Sequence, residues 1–152
     1  MWAAFLAANP AEAHWTSELV AEFYGGSAEM AEELVALVEV GQKRATAGVV
    51  SDFEREGQPL PRVGGYWIAC GGDGRPRVVQ RSVELRLGRL DSVDEAFAWD
   101  EGEGERTRAD WLGGHRRYFA RAFAARGAEF DEAAEEIVFE RFVVVWPPEF
   151  AD

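Results

Sequence analysis

At Tyr66 the spacing of apolar residues changes, and this change constrains the fold more than any other feature of the sequence. Before it, Met30, Leu34, Leu37 and Val38 fall at i, i+4, i+7 and i+8, the apolar stripe of a helix. After it, Val83, Leu85 and Leu87 alternate with Ser82, Glu84 and Arg86, the period of a strand. A chain of 152 residues holding both periods in successive blocks is one α+β domain with a mostly antiparallel sheet.

Punctuation residues set the expected elements. Asn9-Pro10 divides residues 1–25 into two short helices, an N-terminal helical extension ending at Gly25-Gly26. Ser27 caps a third helix, and Gly41 stands where a helix-ending glycine belongs. A short helical piece follows from Thr46 to Phe53, closed by Gly57 and Pro59-Leu60-Pro61. Strands are expected over Tyr66–Cys70, Arg77–Leu87 and Glu136–Trp146, with a turn at Gly71–Gly74. Helices are expected over Asp94–Trp99 and Asp110–Arg126, the latter carrying Trp111, His115 and Phe119 at four-residue steps.

Charge narrows the choice of partner. Sixteen basic residues against 28 acidic give a net charge of −12, which argues against a duplex DNA or other bulk polyanion partner. The imbalance is uneven. Residues 1–42 hold seven acidic groups and no Lys or Arg, whereas residues 43–89 hold nine basic groups against five acidic. Such a segment either focuses a small anion or is ordinary solvated surface. No apolar stretch approaches the ~20 residues of a spanning helix, and no basic start precedes an apolar run. With Cys70 as the only cysteine, the expectation is a reducing, cytoplasmic setting and a core role for that thiol.

Fifteen of the sixteen basic residues are arginine, which leaves Lys43 as the only lysine. An ammonium can shed its proton when buried, whereas a guanidinium cannot. Lys43 is therefore a candidate for chemistry that arginine does not perform. Thr46, three residues on, would share one side of a helical turn with it. A neutral Lys43 could then activate the Thr46 hydroxyl as a nucleophile, given burial or a neighbouring cation such as Arg44. The alternative is structural: Lys43 pairs with a carboxylate of the acidic loop, and Thr46 caps the next helix.

Five short motifs occur in order: Lys43-Arg44-Ala45-Thr46, Leu60-Pro61-Arg62-Val63-Gly64, Ala98–Glu105, the Trp111/His115 pair and Glu140-Arg141-Phe142. Together they resemble the longer members of the ASCH family, from about residue 23 to 146. The fold this resemblance implies is a curved, mostly antiparallel PUA-like β-barrel with flanking helices, as a single domain over residues 1–152. Three positions depart from the family pattern: Glu105 replaces an Asp, Gly65 stands where an Asp is common, and Ser82 where a Thr is common.

The resemblance implies an amidohydrolase of the N(4)-acetylcytidine type, with Lys43, Thr46 and Glu101 as its catalytic set. Arg44, Arg62, Glu103, Trp111 and His115 are the expected substrate-binding residues, His115 also being suited to packing on its helix face. Two other readings stay open: a ribonuclease on single-stranded RNA stimulated by Mg or Mn, and a non-catalytic RNA- or nucleotide-binding module. Only the ribonuclease calls for a metal, and Glu101, Glu103 and Glu105 are its weak candidate ligands. Otherwise no cofactor is expected, and the Glu-Gly-Glu-Gly-Glu run is a flexible loop whose charge complements the following helix. The expected partner is a small modified nucleoside or a short single-stranded RNA, bound by a monomer or homodimer without a membrane. His14 carries no functional signal.

Overall fold

The computed structural model describes residues 1–13 and 19–152. Five strands form one sheet: β1 (Val20–Glu22), β2 (Ala45–Val49), β3 (Tyr66–Cys70), β4 (Pro76–Gly88) and β5 (Ile137–Trp146). Their spatial order is β1-β3-β4-β5-β2. β1 runs parallel to β3, and every other pairing is antiparallel. Register shifts between Val79 and Gln80 and between Ser82 and Glu84 bend the long β4, as bulges do. The sheet curls into a half-barrel whose edges, β1 and β2, do not pair with each other.

The helices are α1 (Trp2–Ala8), α2 (Ala28–Glu39), α3 (Val50–Glu56), α4 (Glu95–Glu101) and α5 (Arg108–Ala125). Ser27 caps α2 by accepting from the Met30 N–H, and Gly41 follows the helix with φ 80°. Asp94 caps α4 and Thr107 caps α5 in the same way. α4 and α5 press Phe97, Trp111, Phe119 and Phe123 against Ala45, Val49, Ile137 and Phe139 of β2 and β5. α2 places Val35 and Val38 against Ala69, Val78, Phe142 and Val144 of the central strands. Cys70 is buried in a third cluster with Phe5, Tyr66, Ile68 and Val79. Burial raises its thiol above the ordinary range.

Two local expectations require correction, and the alternation on β4 needs a reading of its own. Residues 20–22 form strand β1, so the second N-terminal helix does not extend through them; its stretch over 14–18, with His14, lies outside the described residues. Thr46 begins no helix but lies in β2, which backbone pairing with β5 holds extended before α3 starts at Val50. The apolar alternation on β4 does not mark an inward face. Val83 and Leu87 are 43% and 47% exposed while Ser82 is buried, because the bulge beside Ser82 shifts which residues face the core.

The basic excess of residues 43–89 does not form an open cationic face. Arg44 pairs with Asp152, Arg55 with Glu56, Arg75 with Asp73, Arg77 with Glu32 and Glu39, and Arg89 with Asp91. Among the described residues, no helix is long and apolar enough to cross a membrane.

Candidate functional site

Lys43 lies between the end of α2 and the start of β2, and its backbone is fixed on both sides. Its N–H donates to the Leu37 carbonyl at 3.0 Å. The next N–H, of Arg44, donates to the Asp100 carbonyl at 2.7 Å, and the Arg44 carbonyl accepts from Phe142 at 3.0 Å. Gln42 Nε2 donates to the Gly102 carbonyl at 2.6 Å. These bonds fasten residues 42–44 to the end of α4.

The approach is close enough to require glycine. Gly102 has φ 75°, and a Cβ there would run into the Gln42 carbonyl oxygen. Gly104 has φ 53°, and its Cβ would strike the Asp110 carboxylate, which accepts from the Glu105 N–H at 3.0 Å. The glycines of the acidic run therefore serve close packing. The segment after Glu101 is a loop, as expected, and these close contacts are built into it.

With the backbone so placed, the single lysine is 1% exposed and surrounded by acceptors. Lys43 Nζ donates to Glu103 Oε1 at 2.6 Å and approaches the Glu101 carbonyl oxygen at 3.5 Å. It also lies 5.3 Å from the centre of the Tyr24 ring. An ammonium paired with a carboxylate and set over an aromatic face is well accommodated despite its burial.

Glu101 is likewise 1% exposed and accepts from Trp111 Nε1 at 2.7 Å through Oε2. His115 Nε2 lies 3.5 Å from the same oxygen. Trp111 and His115, one turn apart on α5, stack with ring centroids 3.7 Å apart. Burial by itself would raise the Glu101 carboxyl, but the charges of Lys43 and His115 and the Trp111 bond outweigh it and hold it below the ordinary range. For His115 burial pushes downward, and the Glu101 carboxylate, aided by Glu103, more than reverses it. Its Nδ1 is 3.1 Å from the Trp111 carbonyl, so both ring nitrogens face acceptors, as suits an imidazolium.

Lys43, Glu101, Glu103, Trp111 and His115 all line one cavity of about 340 Å³, and Thr46 lines it as well. Thr46 is reached from a strand, so the expected helical-turn geometry is not how the pair meets. Nor does Thr46 cap α3, whose cap residue is Val49 without a side-chain bond. The pairing of Lys43 with an acidic-loop carboxylate is present and coexists with the shared cavity.

Two expected binding residues lie elsewhere. Arg44 turns to the C-terminus, where its guanidinium holds Asp152 at 2.8–3.0 Å and the Val38 carbonyl at 2.7 Å. Arg62 lines a second cavity of about 290 Å³. The carboxylates of the acidic run do not converge: Glu101 faces Trp111, Glu103 faces Lys43, and Glu105 is exposed. Among the described residues, no group of three His, Cys, Asp or Glu side chains is placed to hold a metal ion.

Tyr24, Tyr118 and Thr46 line both cavities and form the boundary between them. Tyr24 donates to Gln80 Oε1 at 2.7 Å in the sheet interior. Sequence reasoning missed Tyr24, whose place before Gly25-Gly26 matched an apolar helix end. It also passed over Ser82 and Glu140 as site residues, although both lie in segments whose motifs it had marked. Ser82 Oγ donates to Glu140 Oε1 in the second cavity.

Comparison with known proteins agrees with this architecture. The chain superposes on the crystal structure of an ASCH domain from Lactobacillus crispatus with a TM-score of 0.84 at 27% identity, covering 96% of this chain and 92% of that one. The structure of protein EF3133 from Enterococcus faecalis matches with a TM-score of 0.77 at 26% identity, covering 94% of this chain and 86% of that one. No curated protein matches the chain. The model of the ASCH domain matches residues 21–146. With that match spanning the curled sheet and the lysine cavity, the chain belongs to the ASCH domain family, a PUA-like fold of RNA-binding type.

Proposed function

We propose that the protein is an amidohydrolase acting on a modified nucleoside of the N(4)-acetylcytidine type, free or within a short single-stranded RNA. The observation that carries this reading is the chain's only lysine, buried beside Glu101 and Glu103 in a cavity wall that also contains Thr46. A charge of −12 favours a small substrate, because a long RNA would meet repulsion where a nucleoside meets none.

The chemistry balances with water as the only co-substrate. The Lys43 ammonium passes a proton to Glu103 along their 2.6 Å contact, which leaves a neutral amine. That amine takes the Thr46 hydroxyl proton as Oγ1 attacks the acetyl carbon. When the adduct collapses, the carbon–nitrogen bond breaks, and Lys43 returns the proton to the departing N4 amine. Water, deprotonated by the same lysine, then cleaves the Thr46 acetyl ester to release acetate and restore the hydroxyl. Glu101, oriented by Trp111 and His115, stabilises the positive charge that forms on Lys43 in both steps.

Purified protein mixed with N(4)-acetylcytidine should yield cytidine and acetate in equal amounts, with EDTA making no difference. Absence of deacetylation, with EDTA-sensitive cleavage of a single-stranded RNA, would replace this reading with the ribonuclease.

A further inference from the structure

The second cavity takes no part in that chemistry, yet it adjoins it through Thr46. Phe23, Tyr24, Phe53 and Trp67 line it, and aromatic faces are suited to stacking a base. Its volume, about 290 Å³, is near the lower end of the ~300–1,000 Å³ of small-molecule sites, a size suited to a single nucleoside.

Glu140 is the notable polar group there. It is the direct cross-strand partner of Thr46 in the β2–β5 ladder, so the two side chains share one face of the sheet. Directly opposed residues of an antiparallel pair have Cβ atoms ~4.5–5.5 Å apart. Ser82 Oγ donates to Glu140 Oε1, which fixes that oxygen as an acceptor, and Oε2 has no hydrogen-bond partner among the described residues. Burial pushes the Glu140 carboxyl above its ordinary range, against the smaller opposing effect of the Ser82 bond. When protonated, with Oε1 engaged by Ser82, this carboxyl carries its proton on Oε2 and offers one donor there.

We propose that this cavity is the base subsite of the enzyme, resting on the nucleoside reading above, and that Glu140 selects cytosine-type bases by donating from Oε2 to the ring N3. Cytosine N3 is an acceptor, whereas uracil N3 carries a hydrogen and would oppose the donor. Because the exocyclic N4 is carried by C4, the ring atom next to N3, the same contact brings the N4 acyl group towards Thr46, the neighbour of Glu140 across the ladder. Glu140 is thus a specificity-determining and positioning residue.

The test is binding of cytidine and uridine by titration calorimetry to the wild type, Glu140→Gln and Glu140→Ala, with thermal melts confirming that each is folded. N(4)-Acetylcytidine turnover is measured in parallel. The wild type should prefer cytidine by ~10-fold or more. Glu140→Gln should keep that preference, because the amide oxygen can still accept from Ser82 while its NH₂ donates to N3. Glu140→Ala should weaken cytidine binding by ~10-fold and leave uridine within about twofold, so the preference collapses. A preference surviving in folded Glu140→Ala, a wild-type preference for uridine, or binding of neither nucleoside would overturn the subsite. Glu140-dependent cytidine selection without deacetylation would support the subsite and remove the hydrolase reading. Deacetylation with unchanged KM in Glu140→Ala would leave the hydrolase and remove the subsite.

Discussion

The two cavities share Tyr24, Thr46 and Tyr118 but are built in different ways. The lysine cavity holds its polarity in ion pairs and charge-assisted bonds among Lys43, Glu101, Glu103 and His115. The Glu140 cavity has aromatic walls and a carboxyl whose protein hydrogen bond comes from the Ser82 hydroxyl. In the first, the buried charges of Lys43 and Glu101 depend on Glu103 and His115, so removing one group leaves its partner without part of its compensation. In the second, a group can be exchanged with less consequence for the fold. On the proposed reading, the arrangement would separate proton transfer from base recognition, with Thr46 lining both cavities.

The largest expected effect breaks the charged cluster. Lys43→Met should destabilise the protein by about 3 kcal/mol or more in urea unfolding, because buried Glu101 then keeps only the His115 charge to offset its burial, and Glu103 loses its ion pair. Glu101→Gln in the Lys43→Met background should recover part of that loss. Glu140→Gln should change stability by less than about 1 kcal/mol, since the amide oxygen can keep the Ser82 bond. Equal losses in the two cavities would remove the distinction between them.

The backbone approach that builds the first cavity can be tested by a pair of glycines. Gly102→Ala combines a left-handed φ of 75° with a clash against the Gln42 carbonyl, and should cost about 2–3 kcal/mol. Gly74→Ala has a similar φ of 76° but open space around it, and should cost about 1 kcal/mol. Similar losses at both positions would mean that the clash at Gly102 is readily relieved.

The Glu101–His115 contact gives a smaller effect with a defined pH window. Glu101 is held below its ordinary 4.5, so its contribution is present above that pH and lost as pH falls through the lowered value. His115 is held above its ordinary 6.5, so its contribution is complete below that pH and lost as pH rises through the raised value. The contact therefore stabilises most between pH 4.5 and 6.5. There His115→Phe should be less stable than the wild type by about 1.5 kcal/mol, a gap that narrows at higher pH.

The smallest effect expected is none. A ligand at 100 times its Kd would add ~2.7 kcal/mol of stability, whereas Mn²⁺ should leave Tm unchanged because the three carboxylates of the acidic run do not converge. Saturable stabilisation lost in a Glu101/Glu103 double variant would show that these side chains can gather around a metal.

Elements carrying their own caps and periodicity were legible in the sequence. Ser27 and Gly41 bounded α2, Asp94 marked the start of α4, α5 began two residues before the expected Asp110, and β3 matched its expected limits. The two edge strands were not. β1 has three residues and pairs in parallel with β3, a non-local contact without a turn signal beside it. β2 reads Ala-Thr-Ala-Gly-Val, small residues with little strand signal, and its extension comes from the ladder with β5. Lys43 stood out because it was the only lysine. Glu140 did not, because its significance depends on Ser82 across the bulge and Thr46 across the ladder, neither of which is near it in sequence.

The central claim is that Lys43 transfers a proton in the same cavity where Thr46 acts as nucleophile. Turnover of N(4)-acetylcytidine by folded Lys43→Arg and Thr46→Val variants tests it most directly. Lys43→Arg retains a positive charge but cannot supply a neutral amine, so kcat should fall by ~10²-fold or more, and Thr46→Val should abolish turnover at nearly constant volume. Wild-type rates in both variants would contradict the assignment of this cavity as the catalytic site.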